Sequence, residues 1–155
     1  FLGDPIQPCK CSPGEISRYQ RKFSGPIMDR IDMHIYLMPV AYASLKEEKT
    51  MTSSEMKQMV HQARRIQEER YGAKGFQNNG QLNEGNIEKY APLDSDGEKL
   101  LALAYDRLHL NPRTTLKVRK LARTIADLEG SKEIGAGHIA EALQYREKVY
   151  GRQNM

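Results

Sequence analysis

The chain contains no Trp and only three Phe, and aromatic residues make up 7% of it. Any core must therefore be built mostly from aliphatic side chains. There are two cysteines, Cys9 and Cys11, in 155 residues, which excludes the disulfide-built scaffold of a small secreted domain. No run is long and apolar enough to span a membrane, so no membrane partner is expected. The first residues, Phe1-Leu2-Gly3-Asp4-Pro5, lack the basic segment and apolar core of a secretory signal. They also lack an initiating Met, which points to a piece cut from a longer chain; a cytoplasmic location is expected. Acidic excess is absent too. The net charge is +4, which is compatible with a polyanionic partner, although solubility alone accounts for it equally well.

The usual signatures of catalysis are also missing. The sequence holds no G-x-x-x-x-G-K-[ST] phosphate loop, no G-x-G-x-x-G, no Ser-His-Asp elbow and no announced pair of catalytic carboxylates. His34, His61, His109 and His138 are scattered without ligand spacing. Cys9-x-Cys11 supplies two ligands where zinc takes four. The chain by itself shows no complete active site.

What is present is helical patterning. Pro5 and Pro8 mark a leading loop, and Ser12, Pro13 and Glu15 read as N-cap, first-turn proline and capping-box acid of a helix running to about Phe23. Ser24-Gly25-Pro26 ends it, and Ile27 to Arg30 forms one short turn. Ile31, Met33, Ile35 and Leu37 then alternate with Asp32, His34 and Tyr36, the pattern of a half-buried strand closed by Pro39. One strand makes no stable sheet, so this one is expected to pair with a second copy or to pack through its apolar face. Thr52-x-x-Glu55 opens a helix with Met56, Met59, Val60, Ala63 and Ile66 at helical spacing, stopped by Tyr71-Gly72. Residues 73–83 read as a loop, and a short helix spans Glu84 to Tyr90. Helices follow from about Ser95 to His109 (stripe Leu100, Leu101, Ala104, Leu108), from Asn111-Pro112 to Gly130 (stripe Val118, Leu121, Ala122, Ile125, Leu128) and from Ala136 to about Glu147 (burying Ala136, Ile139, Ala140 and Leu143).

The residues that invite a functional reading are positioned arginines. Arg113 falls in the first turn of the helix begun by Asn111-Pro112, beside free backbone N–H groups and the positive end of the helix dipole, a poor place for a cation unless an anion joins it. Lys117 and Lys120 share its face. Spacing alone favours a solvated basic face; the functional reading is phosphate contact through Arg113. Arg30, between Asp29 and Asp32, is either a strand-end ion pair or a guanidinium held where it reaches outside its own subunit.

Four stretches bear on these readings by resemblance. F-S-G-P-I-M-D-R-I-D-M-H resembles the S-G-P-[LI]-[LM]-D-R-I-D-[LIM]-H signature of the magnesium-chelatase-like AAA+ ATPases of the ComM type. C-K-C-S-P-G-E-I-S-R-Y is similar to the same family's C-x-C-[ST]-P-x-x-[IV]-x-R-Y stretch. L-A-R-T-I-A-D-L-E-G and H-I-A-E-A-L-Q-Y-R resemble its C-terminal helices. In order, these matches run from about Gly3 to Arg146. The resemblance implies the C-terminal part of an AAA+ module, with residues 1–40 as the end of the nucleotide-binding core, 41–52 as a linker and 53–150 as a helical lid. The implied fold class is mainly α: a lid-like helical bundle preceded by a short α/β remnant with one strand. Arg30 then matches the arginine finger offered to the ATP of a neighbouring subunit in a ring, and Arg113 the sensor-2 arginine touching ATP phosphates in cis. Lys117 stands where many relatives carry Arg. Walker A and Walker B segments lie outside the chain, so ATP and Mg²⁺ are expected in the full-length parent and not with this piece alone. The family's N-P-C-P-C-G stretch is also missing, which makes Cys9 and Cys11 half of a four-cysteine cluster. The implied work is ATP-driven DNA remodelling of the branch-migration type. A magnesium chelatase subunit is one alternative. A stand-alone DNA-binding module, using the basic faces of the 13–23 and 112–128 helices, is another.

Overall fold

Short polar motifs write the helix starts of this chain, and the structure, a computed structural model, carries them out. It describes residues 2, 4, 6–22, 25–28, 30–35, 37, 40, 51–72 and 75–146. The chain divides into two units, Phe1–Thr50 with Glu147–Met155, and Met51–Arg146. Most of the expected 41–52 linker and the last residues of the expected lid, 147–150, lie outside the described residues.

In the first unit, helix α1 (Pro13–Gln20) begins at Ser12. The Glu15 carboxylate accepts from the Ser12 N–H at 2.8 Å, and the Ser12 hydroxyl accepts from the Glu15 N–H at 3.4 Å. This reciprocal pair satisfies amides that the first turn leaves open. The helix stops at Gln20, short of the expected Phe23, and buries none of its residues. A single turn, α2 (Gly25–Met28), follows, and the Arg30 N–H closes it on the Ile27 carbonyl at 3.0 Å. The half-buried strand expected at 31–37 does not form: none of the described residues there is in a strand. Ile35 is 65% and Leu37 83% exposed. Alternation creates an apolar face, but alternation alone does not make a strand.

The second unit is helical. Thr52 and Glu55 form the expected capping box, with the Glu55 carboxylate accepting from the Thr52 N–H at 2.7 Å. It opens α3 (Ser53–Tyr71), and Gly72 ends it at φ +51°. Only the C-terminal half of α3 is packed: Ala63, Gln67 and Tyr71 are buried. Ile66 is half-buried, whereas Met56 and Val60 are 50% and 55% exposed. The expected apolar stripe thus enters the core only from Ala63 onward, because the partners of α3, helix α6 (Pro112–Glu129) and a 3₁₀ turn (Asn79–Gln81), meet its second half.

Helices α4 (Ile87–Tyr90), α5 (Ser95–Arg107) and α7 (Ala136–Gln144) complete the bundle, with α7 packed on both α5 and α6. Val118, Ala122 and Ile125 of α6 are buried with Leu101 of α5 and Ile139 of α7. On α7 it is Ala142 that is buried, not the expected Ala140, which faces outward. The few aromatics are concentrated: Tyr71, Phe76 and Tyr90 meet edge to face with ring centroids 5.4–5.9 Å apart, a favoured geometry for π systems.

The start of α5 is fixed by a close approach. Leu93 and Ile134 form an isolated parallel bridge, with the Asp94 N–H donating to the Ile134 carbonyl at 3.0 Å. The Asp94 side chain caps α5, accepting from the Gly97 N–H at 2.7 Å. A Cβ at Gly97 would stand 2.5 Å from the Ile134 carbonyl oxygen, so only glycine fits. Gly97→Ala is expected to destabilise the helical unit by about 1–3 kcal/mol through overpacking, read as a lower urea midpoint at unchanged m-value. An unchanged midpoint would show that the backbone yields there.

Candidate functional site

Asn111 caps α6: its side-chain oxygen accepts from the Thr114 N–H at 2.8 Å, and Pro112 takes the first helical position, where no N–H is needed. Arg113, Lys117 and Lys120 then follow along one face. Their situations differ. Lys120 donates to the Gly80 carbonyl at 2.9 Å and so ties α6 to the 3₁₀ turn. Lys117 is half-buried. Arg113 is exposed and forms no hydrogen bond or ion pair among the described residues.

Further along α6 are two arginines that sequence reasoning did not single out. Arg119 is buried; its Nε donates to the Ala91 carbonyl at 2.9 Å, and its two terminal nitrogens clasp the Glu88 carboxylate, one at 2.7 Å. The hydrogen bonds from Arg119 hold the Glu88 pKa below its ordinary value. Arg123 is fully buried. Its Nε donates to Asp127 at 3.1 Å, and its other nitrogens donate to the carbonyls of Lys132 at 2.7 Å and Ser131 at 2.5 Å. The signal for both was their position: Arg119 and Arg123 are interleaved with Val118, Ala122 and Ala126 on the buried side, and Arg123 stands four residues before Asp127.

Asp127, also fully buried, collects Arg123, Asn79 (2.8 Å) and a two-pronged contact from Arg70. Asn79 in turn accepts from the Tyr71 hydroxyl at 2.6 Å and donates to Thr124 at 3.0 Å. Burial acts to lower the Arg70 pKa, but the hydrogen bonds and charge of Asp127 outweigh it and raise the pKa. For Arg123 burial prevails and the pKa is lowered, with the nearby Arg70 charge adding to the effect against the attraction of Asp127. Burial likewise raises the Tyr71 hydroxyl. A cleft of about 310 Å³ between α3, the 3₁₀ turn and α6 lies over this network, lined among others by Val60, Ala63, Gln67, Asn79, Thr124 and Leu128. Its buried polar side chains are hydrogen-bonded to one another, so it holds structure and offers no reactive group.

The remaining candidates lie in the other unit. Arg30 is exposed just past α2. Cys9 is half-buried and Cys11 exposed, both as free thiols. Among the described residues no group of three His, Cys, Asp or Glu side chains stands ready for a metal ion, and no helix is long and apolar enough to cross a membrane. On α6 Arg119 and Arg123 are buried, so its accessible positive charge comes from Arg113, Lys117 and Lys120.

The result is a mainly helical, lid-like bundle that buries two of its arginines and exposes a third at a helix start. Two family profiles match: "Magnesium chelatase, subunit ChlI C-terminal" over residues 50–146 and "Magnesium chelatase, subunit ChlI" over residues 1–45. The chain therefore belongs to the magnesium-chelatase-like family of the ComM type. It is 36% identical over 142 residues to Competence protein ComM of Haemophilus influenzae, a match covering 90% of this chain. It is 33% identical over 139 residues to the uncharacterized protein YifB of Salmonella typhimurium and 32% over 139 residues to that of Escherichia coli, each covering 88% of the chain. The chain spans about 27% of the length of these relatives.

Two outcomes are expected from the polar core. Asp127→Ala leaves Arg70 and Arg123 facing each other without a counter-charge and should cost about 3–5 kcal/mol, the usual effect of removing one partner from a buried ionic group; thermal or urea unfolding measures it. Glu88 has a depressed pKa in the folded state, so its contribution is present above the unfolded glutamate pKa and is lost as pH falls through the folded value. Glu88→Gln should flatten the decline of stability with acidification in that window. An unchanged acid limb would mean that the Arg119 clasp contributes nothing to stability.

Proposed function

We propose that this chain forms the arginine-bearing end of an ATP-driven motor, with Arg113 contacting ATP phosphates in its own subunit and Arg30 reaching those of a neighbour in a ring. The observation that supports it most is the contrast within α6. Arg119 and Arg123 are fully paired inside the bundle, while Arg113 stands exposed in the first helical turn with no partner among the described residues. A guanidinium in the first helical turn, at the positive end of the dipole, fits an anion better than it fits nothing. Lys117 stands one turn further on and adds positive charge to the same face, a secondary contact. Mg²⁺ is expected to accompany the nucleotide in a protein that also carries the phosphate loop, as the motif resemblance implies.

ATP brings the phosphoryl group whose transfer drives the motor. The chain's own residues contribute charge and position. Arg113 holds phosphate oxygens and links the angle of the helical unit to the nucleotide. Arg30 is supplied from across a subunit boundary, where it stabilises negative charge that develops in the transition state. The work we assign to the motor is DNA remodelling in the cytoplasm, as the motif resemblance implies. The family description names magnesium chelatase, so a chelatase subunit acting on a tetrapyrrole is the second reading. The residues of this chain alone are expected not to hydrolyse ATP, since one or two arginines cannot hold the nucleotide without a phosphate loop.

In a protein carrying these residues together with its phosphate loop, Arg30→Ala should lower kcat by about 10³-fold with ATP binding largely intact. Arg113→Ala should weaken ATP binding by about tenfold or more, the scale of a lost charge-assisted contact. Mixing the Arg30→Ala protein with a phosphate-loop mutant should restore part of the turnover, because each supplies what the other lacks. If Arg30→Ala weakens ATP binding at unchanged kcat, the finger role is wrong. Stimulation of turnover by branched DNA, against stimulation by a magnesium-free tetrapyrrole, separates the two kinds of work.

A further inference from the structure

Asn79 and Gly80 open the 3₁₀ turn Asn79–Gln81, and they are the one Asn-Gly pair of the sequence. That pairing is chemically reactive. Glycine leaves its backbone nitrogen unshielded and its dihedral angles free, so in a loose chain the Gly80 nitrogen reaches the side-chain carbonyl carbon of Asn79. Asn78, Asn83 and Asn86 precede larger residues, and Asn111 precedes a proline nitrogen that carries no hydrogen. In the fold, however, Asn79 is 2% exposed and its amide is held at four points. The oxygen accepts from Arg70 at 3.1 Å and from the Tyr71 hydroxyl at 2.6 Å; the nitrogen donates to Thr124 at 3.0 Å and to Asp127 at 2.8 Å. We propose that Asn79–Gly80 is a deamidation site that the native fold holds closed and unfolding opens, so that time spent unfolded is recorded as damage to the Asp127 cluster.

The reaction needs only water. The Gly80 nitrogen gives its proton to a solvent base and bonds to Asn79 Cγ. The bond from Cγ to the amide nitrogen breaks, and that nitrogen takes up a proton and leaves as ammonia. Water then opens the five-membered imide at either carbonyl. Attack at Cγ gives aspartate; attack at the backbone carbonyl gives isoaspartate, with the chain rerouted through the side chain. One water is consumed and one ammonia released. In the fold, ring closure has to pull the amide out of all four hydrogen bonds. The turn itself is also held, with Gln67 accepting from the Asn79 N–H at 3.3 Å and the Gly80 carbonyl accepting from Lys120 at 2.9 Å. Unfolding removes every one of these restraints. The product does not fit the site it left. A carboxylate at position 79 has no hydrogen to donate and faces the Asp127 oxygen that the amide served, and two buried carboxylates so close repel each other. Isoaspartate also lengthens the backbone within the turn.

The test ages the purified 155-residue chain in mildly alkaline heavy-oxygen water, one sample folded and one unfolded in guanidinium. Peptide mapping by mass spectrometry is expected to find Asn79 converted at least about tenfold faster in the unfolded sample, the scale of a barrier raised by one or two net hydrogen bonds. Each conversion should carry one heavy oxygen. Returned to native buffer, the aged unfolded sample should refold with a lower urea midpoint than an unaged control taken through the same unfolding. Gly80→Ala keeps Asn79 and slows ring closure; the nearest contact of its added Cβ is Asn78 Oδ1 at 3.0 Å, the end of a flexible side chain. Aged unfolded in the same way, this variant should keep the midpoint of its own unaged control. The measurements on the unsubstituted chain stand without it. Equal conversion of folded and unfolded samples, or an unchanged midpoint after conversion, overturns the proposal. So does a loss of midpoint in Gly80→Ala at the pace of the unsubstituted chain, which would place the damage elsewhere.

Discussion

Asp127 is the carboxylate on which the helical unit depends. It sits with no solvent exposure between two guanidiniums and an amide, drawn from α3, from α6 and from the 3₁₀ turn. Three segments distant in sequence are thereby held at one point. Arg123 extends the tie past the end of α6 by donating to the Ser131 and Lys132 carbonyls, groups that would otherwise lack intrahelical partners. Such a cluster is favourable only while every member is satisfied, and here the members reach one another through Asn79, which serves Asp127, Thr124, Tyr71 and Arg70 at once. Apolar packing around Val118, Ala122 and Ile139 supplies the bulk of the burial. The charge cluster specifies which faces meet.

That specification gives α6 two different halves. From Arg119 onward the helix is committed: to Glu88 and the Ala91 carbonyl, to Gly80, to α3 and to the residues beyond Gly130. Before Arg119 its cations are exposed Arg113 and half-buried Lys117. The buried arginines thus anchor the backbone of α6, and the proposed phosphate contact of Arg113 would stand on that anchored helix.

The unit of residues 1–50 is organised differently. Its described helices are local structures, set by a capping box and a one-turn closure, and α1 buries no side chain. Its apolar residues from Ile31 to Leu37 remain exposed. Local hydrogen bonds can define such a segment, but they do not give it a core. Its candidate residues, Arg30 and the free thiols of Cys9 and Cys11, accordingly lie at or near the surface.

The sequence by itself determined what depends on near neighbours. Ser12 with Glu15, Thr52 with Glu55, and Asn111 with Pro112 named three helix starts, and Gly72 and Gly130, both at positive φ, named two ends. The mainly helical class followed from the same local patterns, and the family from the resemblance of short motifs to those of known proteins. Tertiary structure decided what depends on distant partners. Alternation at 31–37 produces no strand among the described residues there. The apolar spacing of Met56, Met59 and Val60 leads to burial only where another helix arrives, and Ala140 and Ala142 exchange places for the same reason. A string of basic residues along α6 reads as one face. It takes Glu88, Asp127 and the carbonyls of Ala91, Ser131 and Lys132, all supplied from elsewhere in the fold or from one turn on, to turn Arg119 and Arg123 into core residues and leave Arg113 outside. Burial of a charge is set by where its counter-charge stands in space, and that is not written in the residue's own neighbourhood.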